Sequence, residues 1–215
     1  MSSIFESIEH AQAQLKELAP NQWNAFQQFN ELVFKEGALS VKEKEIIAVA
    51  VTHITQCSRS TDFHTKAAKK AGASLKELVE AAFVATAIKA GGGVTHGTHV
   101  HNAKKTDASD FLYARSNLQN LKSIGKNAHE GFKGYTQFNA AATTEGMLNT
   151  KLKEIIAVAV GIATQCPYCI DVHTKKAENL GATNEELAEA IMVSSVVAAG
   201  SSFTHIAKMI QSYND

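Results

Sequence analysis

TQCPYCIDVHTKKA, residues 164–177, repeats TQCSRSTDFHTKAA, residues 55–68, with Cys169 standing where the first copy has Ser60. Working outward, Lys42–His96 aligns with Lys151–His205 without a gap, an offset of 109 residues. Roughly half of these positions are identical, far above chance for an internal comparison. KEIIAVAV recurs at Lys44–Val51 and Lys153–Val160, and EG-x-L recurs at Glu36 and Glu145. The chain is therefore a duplication, and its fold is the fold of one repeat used twice.

Each repeat reads as helical. Glu154–Ala163 is nearly all apolar, as a helix buried on every side would be. Its β-branched residues would also suit a strand, but the flanks are helical and the segment is too long. Pro167 fits the first turn of the next helix, and Gly181 ends it. Ser74-x-x-Glu77 and Thr183-x-x-Glu186 are capping boxes that open a third helix. That helix is expected to break at Gly91–Gly93 in one copy and Gly200 in the other, with a short fourth helix carrying His96 or His205. Residues 1–20 read as an amphipathic helix. The expectation is an all-α, pseudo-symmetric single unit over residues 1–215. Repeat one covers about 21–105, a helical linker about 106–130, and repeat two about 131–215.

Composition narrows the function. With 21 basic and 21 acidic side chains the formal net charge is zero, so no broad basic face argues for nucleic acid or an anionic membrane. The N-terminal MSSIFESIEHAQAQLKEL alternates charged and apolar residues, unlike a secretory leader, and no unbroken apolar run reaches bilayer length. The expectation is a cytoplasmic protein without a membrane partner, whose remaining apolar faces pair with other copies in a homo-oligomer. Three cysteines, two of them as Cys-x-x-Cys, mean redox chemistry or a metal in a reducing compartment.

Cys166, Cys169 and His173 fall at i, i+3 and i+7, on one stripe of a helix. The cysteines lie at the helix start, where backbone N–H groups favour a thiolate. Counting rise along two antiparallel helices meeting near Gln165 leaves Glu154 and His173 within side-chain reach. Glu154 is thus a candidate to orient His173 as a proton acceptor. Three zinc ligands are also present in this set, but a structural site wants four, so no metal is expected. CPYC also occurs in redox folds built on βαβ units, which the helical flanks exclude. His96 and His205 are repeat-equivalent and expected to line the two pockets, while His99 and His101 read as solvated. Trp23, Phe26 and Phe29, at i, i+3 and i+6, suit core or subunit packing.

Glu154-x11-Cys166-x2-Cys169-x3-His173 resembles the motif of the AhpD-like alkylhydroperoxidases, within the carboxymuconolactone decarboxylase superfamily. The resemblance extends over about residues 25–210. It implies an all-helical protein, trimeric or a dimer of trimers, that reduces a small hydroperoxide without a cofactor. It further implies Cys169 as the peroxidatic thiol, Cys166 as the resolving thiol, and Glu154 with His173 as the proton relay. A lipoyl-bearing or thioredoxin-like dithiol protein would be the reductant. Two alternatives stand beside it: a cofactor-free lactone decarboxylase, and a non-enzymatic redox sensor. In the best-known members a histidine precedes the second cysteine; here that place is Tyr168. Repeat one keeps Glu45, Cys57 and His64 but lacks the second thiol, and reads as a scaffold copy.

Overall fold

The computed structural model describes residues 13–104 and 111–214. Of the expected helix over residues 1–20, 13–20 fall among these; 13–18 are helical, Ala19 interrupts, and Pro20 opens the next helix. Ten α-helices of five residues or more follow: α1 (Pro20–Val33), α2 (Val41–Thr55), α3 (Ser58–Lys70), α4 (Leu75–His96) and α5 (Thr98–Asn102) in the first half, then α6 (Leu121–Asn127), α7 (His129–Thr143), α8 (Thr150–Ala163), α9 (Pro167–Asn179) and α10 (Asn184–Asn214). A 3₁₀ turn, Arg115–Asn120, precedes α6. No strand occurs among the described residues.

The two KEIIAVAV segments form α2 and α8 at the centre of one core, with Ile46–Val51 and Ile155–Val160 buried throughout. Such burial suits a helix without a polar face. Their starts are set by local chemistry. Ser40 caps α2 in a capping box with Glu43, and Asn149 accepts from the Leu152 N–H at 2.8 Å to cap α8. The boxes read from Ser74 and Thr183 also form: their hydroxyls accept from the N–H of Glu77 and Glu186 at 3.2 and 3.1 Å. Removing one such cap costs about 1 kcal/mol. Ser74→Ala should therefore lower the denaturant midpoint measurably without altering the far-ultraviolet spectrum.

The third helix does not break where the glycines fall. α4 runs through Gly91–Gly93 to His96, and α10 runs through Gly200 to Asn214. Glycine costs roughly 1 kcal/mol against alanine inside a helix, and here tertiary packing overrides that cost. Gly91 is buried, and a Cβ there would sit 2.7 Å from the Tyr135 hydroxyl of α7. Consequently His96 ends α4, His205 lies within α10, and the short α5 carries His99 and His101. The helical stretches, α4 continued by α5 and α10, are also longer than the sequence reading allowed. Leu75–Asn102 and Asn184–Asn214 are long and apolar enough, by length and composition, to cross a membrane. Central helices of a packed bundle share that character, and both contribute a line of buried residues to this core.

A reciprocal pair of acids joins the repeats. Glu189 of α10 accepts from the N–H groups of Ala38 and Leu39 at 3.2 and 2.8 Å and pairs with Lys44 at 3.2 Å. Glu80 of α4, its counterpart, accepts from Met147 and Leu148 at 2.9 and 3.1 Å and pairs with Lys153 at 2.9 Å. Each buried lysine also donates to a backbone carbonyl of its own repeat, Lys44 to Lys35 at 2.6 Å and Lys153 to Thr144 at 2.7 Å. Each acid thus holds the EG-x-L turn of the other repeat. Burial alone would raise the Glu80 carboxyl, but the bonds from Met147, Lys153 and Leu148 overcome this and hold it down to about 2.

Candidate active site

Gln165 places the dithiol. It follows α8 with φ +53°, and Gln56 follows α2 with φ +55°. A non-glycine residue in this left-handed region is strained, and both repeats keep it at the same place. The turn makes the next residue the N-cap of the following helix: Cys166 for α9 and Cys57 for α3. The Cys166 Sγ accepts from the Cys169 N–H at 3.2 Å, a cap made by sulfur. The two cysteines are joined as a disulfide with Cα atoms 5.3 Å apart, while Cys57 is free and buried.

One turn beyond Cys169, His173 donates its Nδ1–H to Glu154 Oε2 at 2.5 Å. Both side chains are buried, with 8% and 4% of their surface exposed. A carboxylate only accepts, so Nδ1 carries the proton of this bond, which leaves Nε2 as the ring nitrogen for proton transfer. The other Glu154 oxygen lies 3.6 Å from Lys176 Nζ. Cys169 and His173 line one cavity of about 190 Å³, shared with Ile88, Leu118, Tyr135 and Lys176. The structure thus brings together all four candidates, Glu154, Cys166, Cys169 and His173, around α8 and α9.

α8 and α9 approach closely because residue 161 has no side chain. A Cβ on Gly161 would lie 3.2 and 3.3 Å from Cγ1 and the backbone nitrogen of Ile170, and 3.5 Å from Cys169 Cβ. Gly161→Ala should push the dithiol turn outward and cost about 1–2 kcal/mol, measured by thermal unfolding.

Repeat one holds the same frame without the dithiol. His64 donates to Glu45 at 2.8 Å, and Ser60 Oγ lies 3.4 Å from Ser201 Oγ. Two aromatic rings flank His64 there, Phe34 at 5.3 Å and Phe63 at 5.1 Å, and elsewhere Phe203 stacks on Phe26 at 4.7 Å. Trp23 also packs on Phe203, so this aromatic trio packs within the chain. Burial alone would raise the Cys57 thiol, but hydrogen bonds from Ser60, Thr204 and the helix start lower it on balance.

Tyr168 lines the same cavity as Cys169 and His173, with its hydroxyl tied to the segment before α6. Its hydroxyl donates to the Leu112 carbonyl at 3.1 Å and accepts from Asn117 Nδ2 at 2.9 Å. Its ring packs with His96, His99 and Tyr113, all ring centres within 6.0 Å of one another. His99 is therefore half-buried among aromatic rings rather than solvated, His101 is half-buried as well, and His205 is exposed. A second tie, Arg115 Nε to Asp171 Oδ1 at 2.8 Å, holds the same segment against α9. Sequence reading had no signal for Asn117 or Arg115, which act across long separations. Lys176 had one: repeat one has Ala67 in its place.

The sequence profile of the carboxymuconolactone decarboxylase family matches residues 23–102 and 129–211, one segment in each repeat. The chain belongs to the carboxymuconolactone decarboxylase family. Among family relatives, an uncharacterized protein of the cox locus in Paracoccus denitrificans is 46% identical over 66 residues, 31% of this chain and 60% of that protein. An uncharacterized Cupriavidus necator protein is 34% identical over 70 residues, 33% of this chain and 62% of its own length. The match therefore spans about three fifths of these two relatives. An uncharacterized Haemophilus influenzae protein is 31% identical over 91 residues, 42% of this chain and 80% of its own. A solved chain from Burkholderia xenovorans, described as a gamma-carboxymuconolactone decarboxylase subunit, superposes with a TM-score of 0.67. At 20% identity, over 93% of this chain and 90% of that one, it shares the family's fold.

Proposed function

We propose that this family member is a thiol-dependent peroxidase working through Cys166 and Cys169, with Glu154 and His173 as proton relay. The observation that carries the reading is the shared cavity: Cys169 and His173 line it together, and His173 is fixed from behind by a buried carboxylate. His173 takes the proton of the Cys169 thiol. The thiolate attacks the peroxide, the O–O bond breaks, and Cys169 becomes a sulfenic acid while the alkoxide leaves as alcohol with the proton from His173. The Cys166 thiol then displaces water from the sulfenic acid and closes the disulfide. An external dithiol reduces that disulfide and is itself oxidised, which returns both cysteines to thiols.

The test is turnover of cumene hydroperoxide with excess dihydrolipoamide. One equivalent of alcohol should form per dithiol oxidised. No peroxide consumption, together with carboxymuconolactone decarboxylation that survives Cys166→Ser and Cys169→Ser, would overturn the reading in favour of the lactone enzyme. The protein is further proposed to act as a cytoplasmic homo-oligomer.

A further inference from the structure

We infer that Lys176 selects hydroperoxides that carry an anionic group, resting on the peroxidase reading of the site. Lys176 lines the inner cavity that holds Cys169 and His173, and also an outer groove of about 640 Å³ that holds Glu154, Glu145 and Thr144. It therefore stands in the wall between the groove and the dithiol. Among the described residues its ammonium is the one lysine or arginine head in the inner lining, where Ile88, Leu118, Leu121 and Val172 give apolar wall and Thr95, Asn139, Tyr135 and Tyr168 add polar groups.

Its ammonium has more donors than its neighbour uses. Glu154 Oε1 lies 3.6 Å away, and 44% of the Lys176 side chain is exposed. An ammonium has three N–H donors, so two remain for a ligand entering from the groove. The internal comparison isolates the role. Repeat one keeps the buried Glu45–His64 pair without any lysine, because Ala67 replaces it. The carboxylate–histidine pair therefore forms without the cation, and the lysine accompanies the copy that has the dithiol. An apolar body with one carboxylate fits these walls, with the body against Ile88 and Leu121 and the carboxylate on Lys176.

The test compares the para-carboxylate and para-carboxamide of cumene hydroperoxide, matched in shape and differing in charge. In the wild-type chain the carboxylate should have the higher kcat/KM, mainly through a lower KM. Lys176→Met should reduce the carboxylate-to-carboxamide ratio about tenfold, the order expected of one charge-assisted hydrogen bond, and Lys176→Arg should restore most of it. A ratio unchanged by Lys176→Met overturns the inference and leaves Lys176 as a partner of Glu154 alone. Calorimetric binding of 4-isopropylbenzoate against 4-isopropylbenzamide separates the two layers, since it needs no turnover. Preference for the benzoate, lost in Lys176→Met, supports anion selection even if neither peroxide is reduced, in which case the peroxidase reading falls. Equal binding of the two overturns the inference whatever happens to the peroxides.

Discussion

Replacing Cys169 with serine should abolish peroxide turnover, by roughly 10³-fold or more, as loss of a nucleophile does elsewhere. Cys166→Ser should allow one oxidation and then stall at the sulfenic acid, because no second thiol closes the disulfide. Cys57→Ser should leave turnover within about twofold, since its hydrogen-bond neighbours are Thr204 and Ser60 and not the dithiol. The sharper variant is Ser60→Cys. It recreates the spacing in repeat one, where Cys57 already caps α3 and the Glu45–His64 pair is already built. A disulfide should form there, yet little turnover should be added, because Phe34 and Phe63 flank His64 and Ala67 replaces the lysine. Substantial new turnover from Ser60→Cys would show that the motif alone makes the site and the cavity contributes nothing.

The largest effect on stability should come from the acids that join the repeats. Glu80→Gln removes the charge that pairs with Lys153, whose side chain is 4% exposed. Breaking a buried pair by removing one partner typically costs about 3–5 kcal/mol. For a chain of this size that is a fall in Tm of roughly 10 °C. The pH dependence has a definite sign. The Glu80 carboxyl is held at about 2 in the fold against 4.5 ordinarily. Its contribution is therefore complete above pH 4.5 and is lost as pH falls from there toward 2. The shift corresponds to on the order of 3 kcal/mol. Urea unfolding across pH 2–6 should show this slope in the wild-type chain and a shallower one in Glu80→Gln. Identical slopes would mean that the carboxylate does not hold the repeats together.

Local and periodic features were legible in the sequence, and contacts across the fold were not. The duplication, the buried central helices and the caps at Ser74 and Thr183 depend on residues a few positions apart. The meeting of Glu154 and His173 was legible too, because helical rise fixes the distance on either side of a turn at Gln165. The glycine breaks failed for the opposite reason. Whether Gly91 interrupts a helix depends on Tyr135 of α7, which approaches where any side chain would collide. The linker ties from Asn117 to Tyr168 and Arg115 to Asp171 join positions about fifty residues apart with no repeating pattern. Phe203 stands where repeat one has Val94, a single difference whose packing on Trp23 and Phe26 the sequence did not show.

The central claim is that repeat two carries the redox centre and repeat one does not. Thiol titration with peptide mass spectrometry, on reduced protein before and after one equivalent of hydroperoxide, tests it most directly. The account predicts that two thiols are lost, that a Cys166–Cys169 disulfide accounts for both, and that Cys57 remains free. Unchanged cysteines, or oxidation that falls on Cys57 while Cys166 and Cys169 stay reduced, would contradict it.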